Sequence, residues 1–307
     1  MLRPKPLFIM GNKRSGTTLV TDLLNSHPNV FVSHEADIAW ILYQARNGRP
    51  AHFETHRLDS RLMLDSTLKS CRRVLKQSLS NEPGNTEIVE AFYRCQTRLM
   101  QQYLRPSLKQ RLKRIAKIVG KRPTLGRVLR AMKQNPELLH KNDLAWIGDK
   151  KHAQHLDPEV RQFLQQQFPE ARYIHVLRHP RSVVASTVEA ARTWSETPEY
   201  FKGVTEQILE QWAIHEEWVL QAKEREASPI LTVRLEDLWS EPIRIMTNVL
   251  NFLDLNMSDG FADLVKQIVY PKDPNLKYAS FPLPDVPRAR RIMEIYGYSE
   301  AARAAGQ

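Results

Sequence analysis

The sequence predicts an α/β protein in which helices cover both faces of a central parallel sheet. Three observations lead to this fold class. Short apolar runs alternate with amphipathic stretches, the first apolar run ends at a glycine and leads directly into a helix, and no internal repeat or low-complexity tract breaks the pattern. Because 307 residues are enough for one large α/β domain with insertions, we interpret residues 1–307 as a single domain.

The predicted strands are short apolar runs, at 7–10, 30–32, 144–148, 172–177 and 230–233. The predicted helices lie between or after them, at 17–25, 36–46, 158–167, from 180 onward, over much of 200–226 and at 243–253. Pro28 ends the first helix, since the residue before a proline is pushed out of the α region. Five prolines between 271 and 287 predict an extended tail that leads to a final helix around 288–295.

The stretch 58–140 has almost no strand pattern and is interpreted as a helical, basic insertion. Much of the excess positive charge lies in two of its predicted helices, 105–114 and 121–133. These basic helices, within 105–133, are candidates for contact with an anionic surface or an acidic glycan, and a simply solvated face is the alternative.

The composition limits the classes of protein. The formal net charge of +11 favours anionic ligands, although it does not separate nucleic acid, membrane, acidic glycan and nucleotide. Only two cysteines occur, which excludes a disulfide framework and predicts a reducing compartment. No stretch reaches the roughly eighteen apolar residues of a transmembrane helix, so we predict a cytoplasmic protein with no transmembrane segment.

The loop after the first predicted strand has the spacing G-x-x-x-x-G-T-T, at 11–18. Consecutive backbone N–H groups and the positive end of a helix dipole would hold an anion there. The NTPase pattern requires a lysine after the second glycine, whereas this chain has Thr17 there and carries its positive charge at Lys13 and Arg14. A basic residue inside the loop is suited to neutralising the negative charge that develops on the bridging oxygen of a bound phosphate compound when the bond to that oxygen breaks. An ordinary strand–helix turn is the alternative.

A second candidate anion site follows the predicted strand 172–177. Arg178 stands at the carboxyl end of that strand, and Ser186 lies eight residues later in the next predicted helix. A guanidinium and a hydroxyl together can hold a phosphate. The Arg-x7-Ser spacing is informative only because it follows an apolar strand and is paired, in this order, with the loop at 11–18. We interpret Arg181 as a solvated charge of the helix.

Both segments resemble motifs of the sulfotransferases that use PAPS (3′-phosphoadenosine-5′-phosphosulfate), in the branch that includes tyrosylprotein sulfotransferases and many bacterial enzymes. The first is similar to their 5′-phosphosulfate motif and the second to their 3′-phosphate motif. The resemblance implies a P-loop-like three-layer sandwich, PAPS as donor with PAP as product, no metal ion, and a hydroxyl or amine acceptor. It also implies the roles of the matching residues: Arg14 as the electrostatic catalyst, Ser15, Gly16, Thr17 and Thr18 as the phosphate cradle, and Arg178 and Ser186 on the 3′-phosphate.

The candidate catalytic base lies where the strand 30–32 ends. Sulfuryl transfer needs a base to take the proton of the nucleophile, and His34 and Glu35 are adjacent there. In the tyrosylprotein branch a glutamate at this distance from the loop arginine is the base, which Glu35 matches; other branches use a histidine, so His34 stays open. Capping of the following helix is the alternative for Glu35. Lys150 resembles a family lysine near the cofactor or acceptor but is given no role. His155 could approach the acceptor, and an ordinary surface histidine is the alternative.

Two rival functions remain at the level of the sequence. One is a phosphate-loop kinase or NTPase, which Thr17 in the lysine position opposes. The other is a catalytically silent nucleotide- or nucleic-acid-binding protein that uses its basic helices. No metal site is predicted, because the closely spaced histidine pairs have no accompanying cysteine. We expect the acceptor to be a hydroxyl-bearing molecule, whose class the sequence does not specify, and we expect the insertion 58–140 to shape the acceptor site.

Overall fold

The computed structural model describes residues 3–34, 36–47, 71, 74–75, 78–80, 82–104, 141, 143–192, 204–225, 229–269 and 275–298. Within them one parallel sheet has the order β2-β3-β1-β4-β5, with the strands β1 Lys5–Gly11, β2 Val30–His34, β3 Trp146–Lys150, β4 Arg172–Leu177 and β5 Ile230–Arg234. The helices are α1 Thr17–Leu24, α2 Ile38–Arg46, α3 Asn85–Leu104, α4 Ala153–Leu156, α5 Pro158–Gln167, α6 Pro180–Arg192, α7 Val204–Glu224, α8 Leu235–Ser240, α9 Pro242–Phe252, α10 Asp259–Ile268 and α11 Pro287–Ile295. A 3₁₀ helix covers Leu276–Tyr278.

The sheet is buried on both faces, as its central strand illustrates. Successive side chains of a strand point to opposite faces. In β1, Leu7 and Ile9 belong to one hydrophobic cluster and Phe8 and Met10 to another, and all four side chains are inaccessible to solvent. A strand that reads as a continuous apolar run is therefore apolar because each face has its own layer of helices.

Each layer contributes apolar residues from several helices. The cluster around Leu7 includes residues of α1, α9 and α10, and the cluster around Phe8 includes residues of α2, α3 and α5. The predicted fold class, a three-layer sandwich with a central parallel sheet, is confirmed. Among the described residues, no helix is both long and apolar enough to cross a membrane.

Helix α3 lies inside the stretch that the sequence analysis treats as an insertion. Its residues Ile88, Phe92 and Cys95 are buried in the cluster around Phe8. This part of 58–140 thus belongs to the layer that covers the sheet. The basic segments 105–114 and 121–133 lie outside the described residues, so their contact with an anionic surface stays a prediction.

Most strands and helices differ from the predicted bounds by one or two residues. Three differences concern β3, α10 and the tail. Strand β3 ends at Lys150 instead of 148, because Asp149 and Lys150 are polar but buried and hydrogen-bonded inside the protein, so hydropathy does not mark them as strand. Helix α10 was not predicted, although Ser258 caps it by accepting a hydrogen bond from the backbone N–H of Phe261 at 3.2 Å. The tail that was predicted to be extended contains the 3₁₀ turn.

The parallel strands end together on one edge of the sheet. The register pairs Gly11 at the end of β1 with Val176 of β4, and His34 at the end of β2 with Lys150 at the end of β3. Ligands of open α/β sheets bind outside the carboxyl ends of the strands. The loop after β1, the end of β2, the end of β3 and the segment after β4 therefore meet at the edge where a ligand is expected.

Candidate active site

The loop between β1 and α1 requires glycine at both of its ends. Gly16 has a φ of 96°, in the left-handed region, and a Cβ there would lie 2.7 Å from Cδ1 of Leu235. A Cβ on Gly11 would lie 2.6 Å from the carbonyl oxygen of Val176. No side chain of the described residues caps α1 at Gly16, so the N–H groups of its first turn are not satisfied by such a cap. This is the geometry of an anion-binding helix N-terminus.

Arg14 connects this loop to the second predicted anion site. Its backbone has a φ of 67°, and its carbonyl oxygen accepts a hydrogen bond from the guanidinium of Arg178 at 3.0 Å. Its own Nε donates to Oγ of Ser186, also at 3.0 Å. Arg178 and Ser186 are 164 and 172 positions away from Arg14 in the chain, and the fold brings all three residues together.

The guanidinium of Arg178 is oriented by a polar network. Its Nε donates to Oδ1 of Asn275 at 3.2 Å, and Nδ2 of Asn275 donates to Glu236 at 2.7 Å. Glu236 also accepts from the backbone N–H of His179 and from the hydroxyl of Tyr298. Burial lowers the pKa of Arg178, and the Glu236 carboxylate opposes that shift. Arg178 remains charged, since guanidinium does not deprotonate in proteins.

The hydroxyl groups of the predicted cradle point in different directions. Ser15 Oγ donates to the carbonyl oxygen of Asn12 at 2.7 Å, so it braces the loop from within. Thr17 Oγ1 lies 3.2 Å from Nδ1 of His152. Thr18 Oγ1 accepts a hydrogen bond from Nζ of Lys150 at 3.2 Å, which places the buried Lys150 beside the loop.

The first candidate base, His34, is buried at the end of β2. Its Nε2 lies 2.9 Å from Oδ1 of Asp22, which is buried on α1. The carboxylate favours a proton on Nε2, which leaves Nδ1 as the nitrogen that can accept a proton. The second candidate, Glu35, lies outside the described residues, and its role stays a prediction.

His155 is a packing residue of the core. Its side chain is 1% exposed, and its ring meets the Phe8 ring edge-on with the centroids 5.5 Å apart. Nδ1 lies 3.3 Å from the carbonyl oxygen of Ile9, and burial lowers the pKa of His155 to about 3. The expectation that His155 could approach the acceptor therefore has no support in its position.

Several residues at this edge of the sheet were missed by the sequence analysis: Asn12, His215, Glu216, Glu236 and Asn275. Asn12 stands in the loop and could have been suspected from its place alone. The others lie on distant helices or in the tail, and no local spacing marks them. Among the described residues, no group of three His, Cys, Asp or Glu side chains is arranged to hold a metal ion.

The fold and site together define an α/β enzyme of the phosphate-loop type, with two candidate anion sites joined at the carboxyl edge of a parallel sheet. Residues 6–259 match the model of the Sulfotransferase family, and the chain belongs to that family. The chain is therefore a sulfotransferase, and the two rival functions, a kinase or NTPase and a catalytically silent binding protein, are excluded.

Two solved structures are similar in fold. They are the sulfotransferase domain from the Synechococcus PCC 7002 olefin synthase and the sulfotransferase domain from the curacin biosynthetic pathway. Each is 18% identical, with a TM-score of 0.54 over 97% of this chain, and the alignments cover 97% and 99% of those domains. At this identity the likeness concerns the fold alone. No curated protein matches the chain.

The buried His155 predicts a loss of stability in acid. Its pKa is about 3 in the folded protein and about 6.5 when unfolded, so the unfolded state binds more protons between these values. Its contribution to the free energy of unfolding is complete above pH 6.5 and is lost as the pH falls; at pH 5 the loss is about 2 kcal/mol. The free energy of unfolding, measured with urea at pH 7 and at pH 5, should differ less between the two pH values for His155→Leu than for the wild type. Equal differences would contradict the assignment.

Proposed function

We propose that this sulfotransferase takes its sulfuryl group from PAPS and transfers it in line to a hydroxyl or amine acceptor. One observation carries the proposal: Arg14 donates to Ser186 and accepts from Arg178, both at 3.0 Å. A donor with a 5′-phosphosulfate and a separate 3′-phosphate needs two anion sites a short distance apart. The triphosphate of ATP is one continuous chain and would leave the second site without a function.

The loop is proposed to bind the 5′-phosphosulfate. The N–H groups at the start of α1, with the dipole of the helix behind them, favour an anion, and the hydroxyl of Thr18 lies on the same turn. PAPS, when bound, supplies an activated sulfate whose S–O bond breaks to release PAP. The same groups would hold that product.

Arg14 is proposed to neutralise the charge that develops on the bridging oxygen. Its Nε is engaged with Ser186, and among the described residues its two terminal nitrogens have no hydrogen-bond partner. Those nitrogens are the donors that can face a ligand. Because Ser186 and the left-handed backbone fix the side chain beforehand, little reorganisation is needed during the reaction. The proposal assigns this neutralisation to side chains and uses no metal ion.

Arg178 and Ser186 are proposed to bind the 3′-phosphate. Asn275 orients the Arg178 guanidinium through Nε, and a terminal nitrogen reaches the Arg14 carbonyl. The planar, permanently charged guanidinium presents its N–H donors in a fixed fork, a geometry that suits a phosphate. Partial burial strengthens such a charged interaction relative to one in bulk water.

The acceptor is proposed to be a hydroxyl-bearing molecule that reaches the site beside the stretch 58–140. Contact with an anionic surface or glycan through the basic residues 105–133 belongs to the same proposal.

We also propose a cytoplasmic location, which the two free, buried thiols of Cys71 and Cys95 support.

Titration calorimetry with PAP, ATP and a random oligonucleotide tests the donor. We expect PAP to bind most tightly. Arg178→Ala should raise the Kd for PAP about 10- to 100-fold, because a hydrogen bond to a charged group contributes roughly 1.5–3 kcal/mol. The matched control is Arg244→Ala, which removes an exposed arginine paired with Glu241 on α9 and should leave the Kd unchanged. Preference for ATP, or an unchanged Kd in Arg178→Ala, would overturn the assignment.

Arg14→Ala tests the electrostatic catalyst. We expect kcat to fall about 10²- to 10³-fold, as when a preorganised donor to a developing charge is removed. The effect on the Kd for PAP should be smaller, since the loop N–H groups remain. Steady-state kinetics with saturating PAPS measure the first quantity and calorimetry the second. A variant that kept its kcat and lost only affinity would show that Arg14 binds the donor without assisting the transfer.

The base is tested by Glu35→Gln and His34→Gln. Loss of the general base should lower kcat about 10²- to 10⁴-fold and leave PAP affinity near that of the wild type. We expect this result for Glu35→Gln, since Glu35 stands at the spacing of the glutamate base in the tyrosylprotein branch, and a smaller effect for His34→Gln. Near-normal turnover of Glu35→Gln would transfer the role to His34.

A further inference from the structure

Asn12 ties the phosphate loop to helix α7 through its side chain. Its Nδ2 donates to Oε1 of Glu216 at 2.7 Å, and its Oδ1 lies 2.7 Å from Nδ1 of His215. A carboxylate accepts hydrogen bonds and does not donate them, so the amide nitrogen must face Glu216 and the amide oxygen must face His215. All three side chains are buried, which makes an unmatched donor or acceptor costly at this place.

The protonation of His215 agrees with this orientation. Its Nδ1 donates to Asn12, and its Nε2 lies 2.7 Å from Nε2 of Gln211, which can only donate. A ring that donates from one nitrogen and accepts on the other is neutral. Burial lowers the pKa of His215 to about 4, so the neutral ring is also the form expected near pH 7.

The main chain of Asn12 holds the rest of the loop. Its carbonyl oxygen accepts from the backbone N–H of Ser15 at 3.2 Å and from Oγ of Ser15 at 2.7 Å. Arg14 lies inside the turn that these bonds close, and its left-handed backbone is held there. Helix α7 therefore holds the side chain of Asn12, and the main chain of Asn12 in turn holds the anion-binding turn.

Glu216 connects this attachment to the rest of the protein. It is completely buried, and its Oε2 lies 3.2 Å from Nε2 of His175 on β4. Burial raises the pKa of Tyr296, and the Glu216 carboxylate raises it further. The loop after β1 thus takes its position from a carboxylate of α7 that also lies beside His175 of β4.

We infer that Asn12 and Glu216 are positioning residues for donor binding: their hydrogen bond sets the turn that presents the phosphate cradle and Arg14. Neither residue is assigned a contact with the donor. The inference rests on the proposed function in one respect, namely that the loop binds the 5′-phosphosulfate of PAPS.

Exchanging the two functional groups tests the inference. Asn12→Asp places two buried carboxylates about 2.7 Å apart, so we expect the Kd for PAP to rise at least about 100-fold. In the double variant with Glu216→Gln, the amide at 216 donates to the carboxylate at 12, which also accepts from His215. The net charge of the pair is then the same as in the wild type. We expect the Kd of the double variant to lie within about tenfold of the wild-type value. The pair is restored in this variant, and tenfold is about the effect of one imperfect hydrogen bond.

A second readout does not depend on the donor. Hydrogen exchange of the peptide that covers 11–18, measured without ligand, should be faster in Asn12→Asp and return to the wild-type rate in the double variant. The matched control is Asn85→Asp, the same change in an amide that accepts from Gln167 at 3.2 Å on the α3–α5 contact. Asn85→Asp should change neither the PAP affinity nor the exchange of the loop.

The outcomes separate this inference from the proposed function. A double variant that binds PAP as weakly as Asn12→Asp, or whose loop exchanges as fast, overturns the positioning role. A further outcome is that the wild-type protein does not bind PAP while hydrogen exchange of the loop is faster in Asn12→Asp and returns to the wild-type rate in the double variant. In that case the proposed donor is wrong and the positioning of the loop stands. If Asn12→Asp is insoluble, a folded double variant with near-wild-type affinity supports the pairing, and one that fails to fold overturns it.

Discussion

The hydrogen bond from Arg178 to the carbonyl oxygen of Arg14 is the interaction on which the rest of the site depends. The left-handed backbone of Arg14 directs that carbonyl toward Arg178, while its side chain reaches Ser186. The loop after β1 and the segment after β4 are thereby one unit. A change in the backbone of the loop would move the guanidinium of Arg14 and remove a contact of Arg178 at the same time.

The charges around this unit are arranged in two shells. Arg14, Arg178 and Lys150 lie at the carboxyl edge of the sheet, where like charges repel one another in the absence of an anion. The carboxylates of Glu216 and Glu236 lie behind the cations and act through amides, Asn12 in one case and Asn275 in the other. The amide of Asn275 joins Glu236 to the guanidinium of Arg178, whereas the amide of Asn12 joins Glu216 to the neutral ring of His215. Glu236 thus orients a cationic group through an amide, and Glu216 holds the loop that carries Arg14.

Much of the fold follows from the sequence. Helix α5 and strand β4 have the predicted bounds, and the other strands differ from prediction mainly in length. The error at β3 has a physical cause that recurs in the site: Asp149 and Lys150 are buried polar residues whose partners, Ser33 and Thr18, come from other elements. Hydropathy depends only on the polarity of a side chain. It does not include the hydrogen-bond partner that offsets the cost of burying that side chain.

The sequence by itself determined the alternation of strands and helices, the loop from Gly11 to Thr18, and the positions of Arg178 and Ser186. These are local patterns: a period of two or of 3.6 residues, two glycines at a turn, and an arginine where a strand ends. Only the tertiary structure decided that Arg14 meets Ser186 and Arg178, and that Glu216 and Asn275 support them. Those contacts join residues from 97 to 204 positions apart, and packing of the sheet and its helices brings them together without leaving any periodicity in the chain.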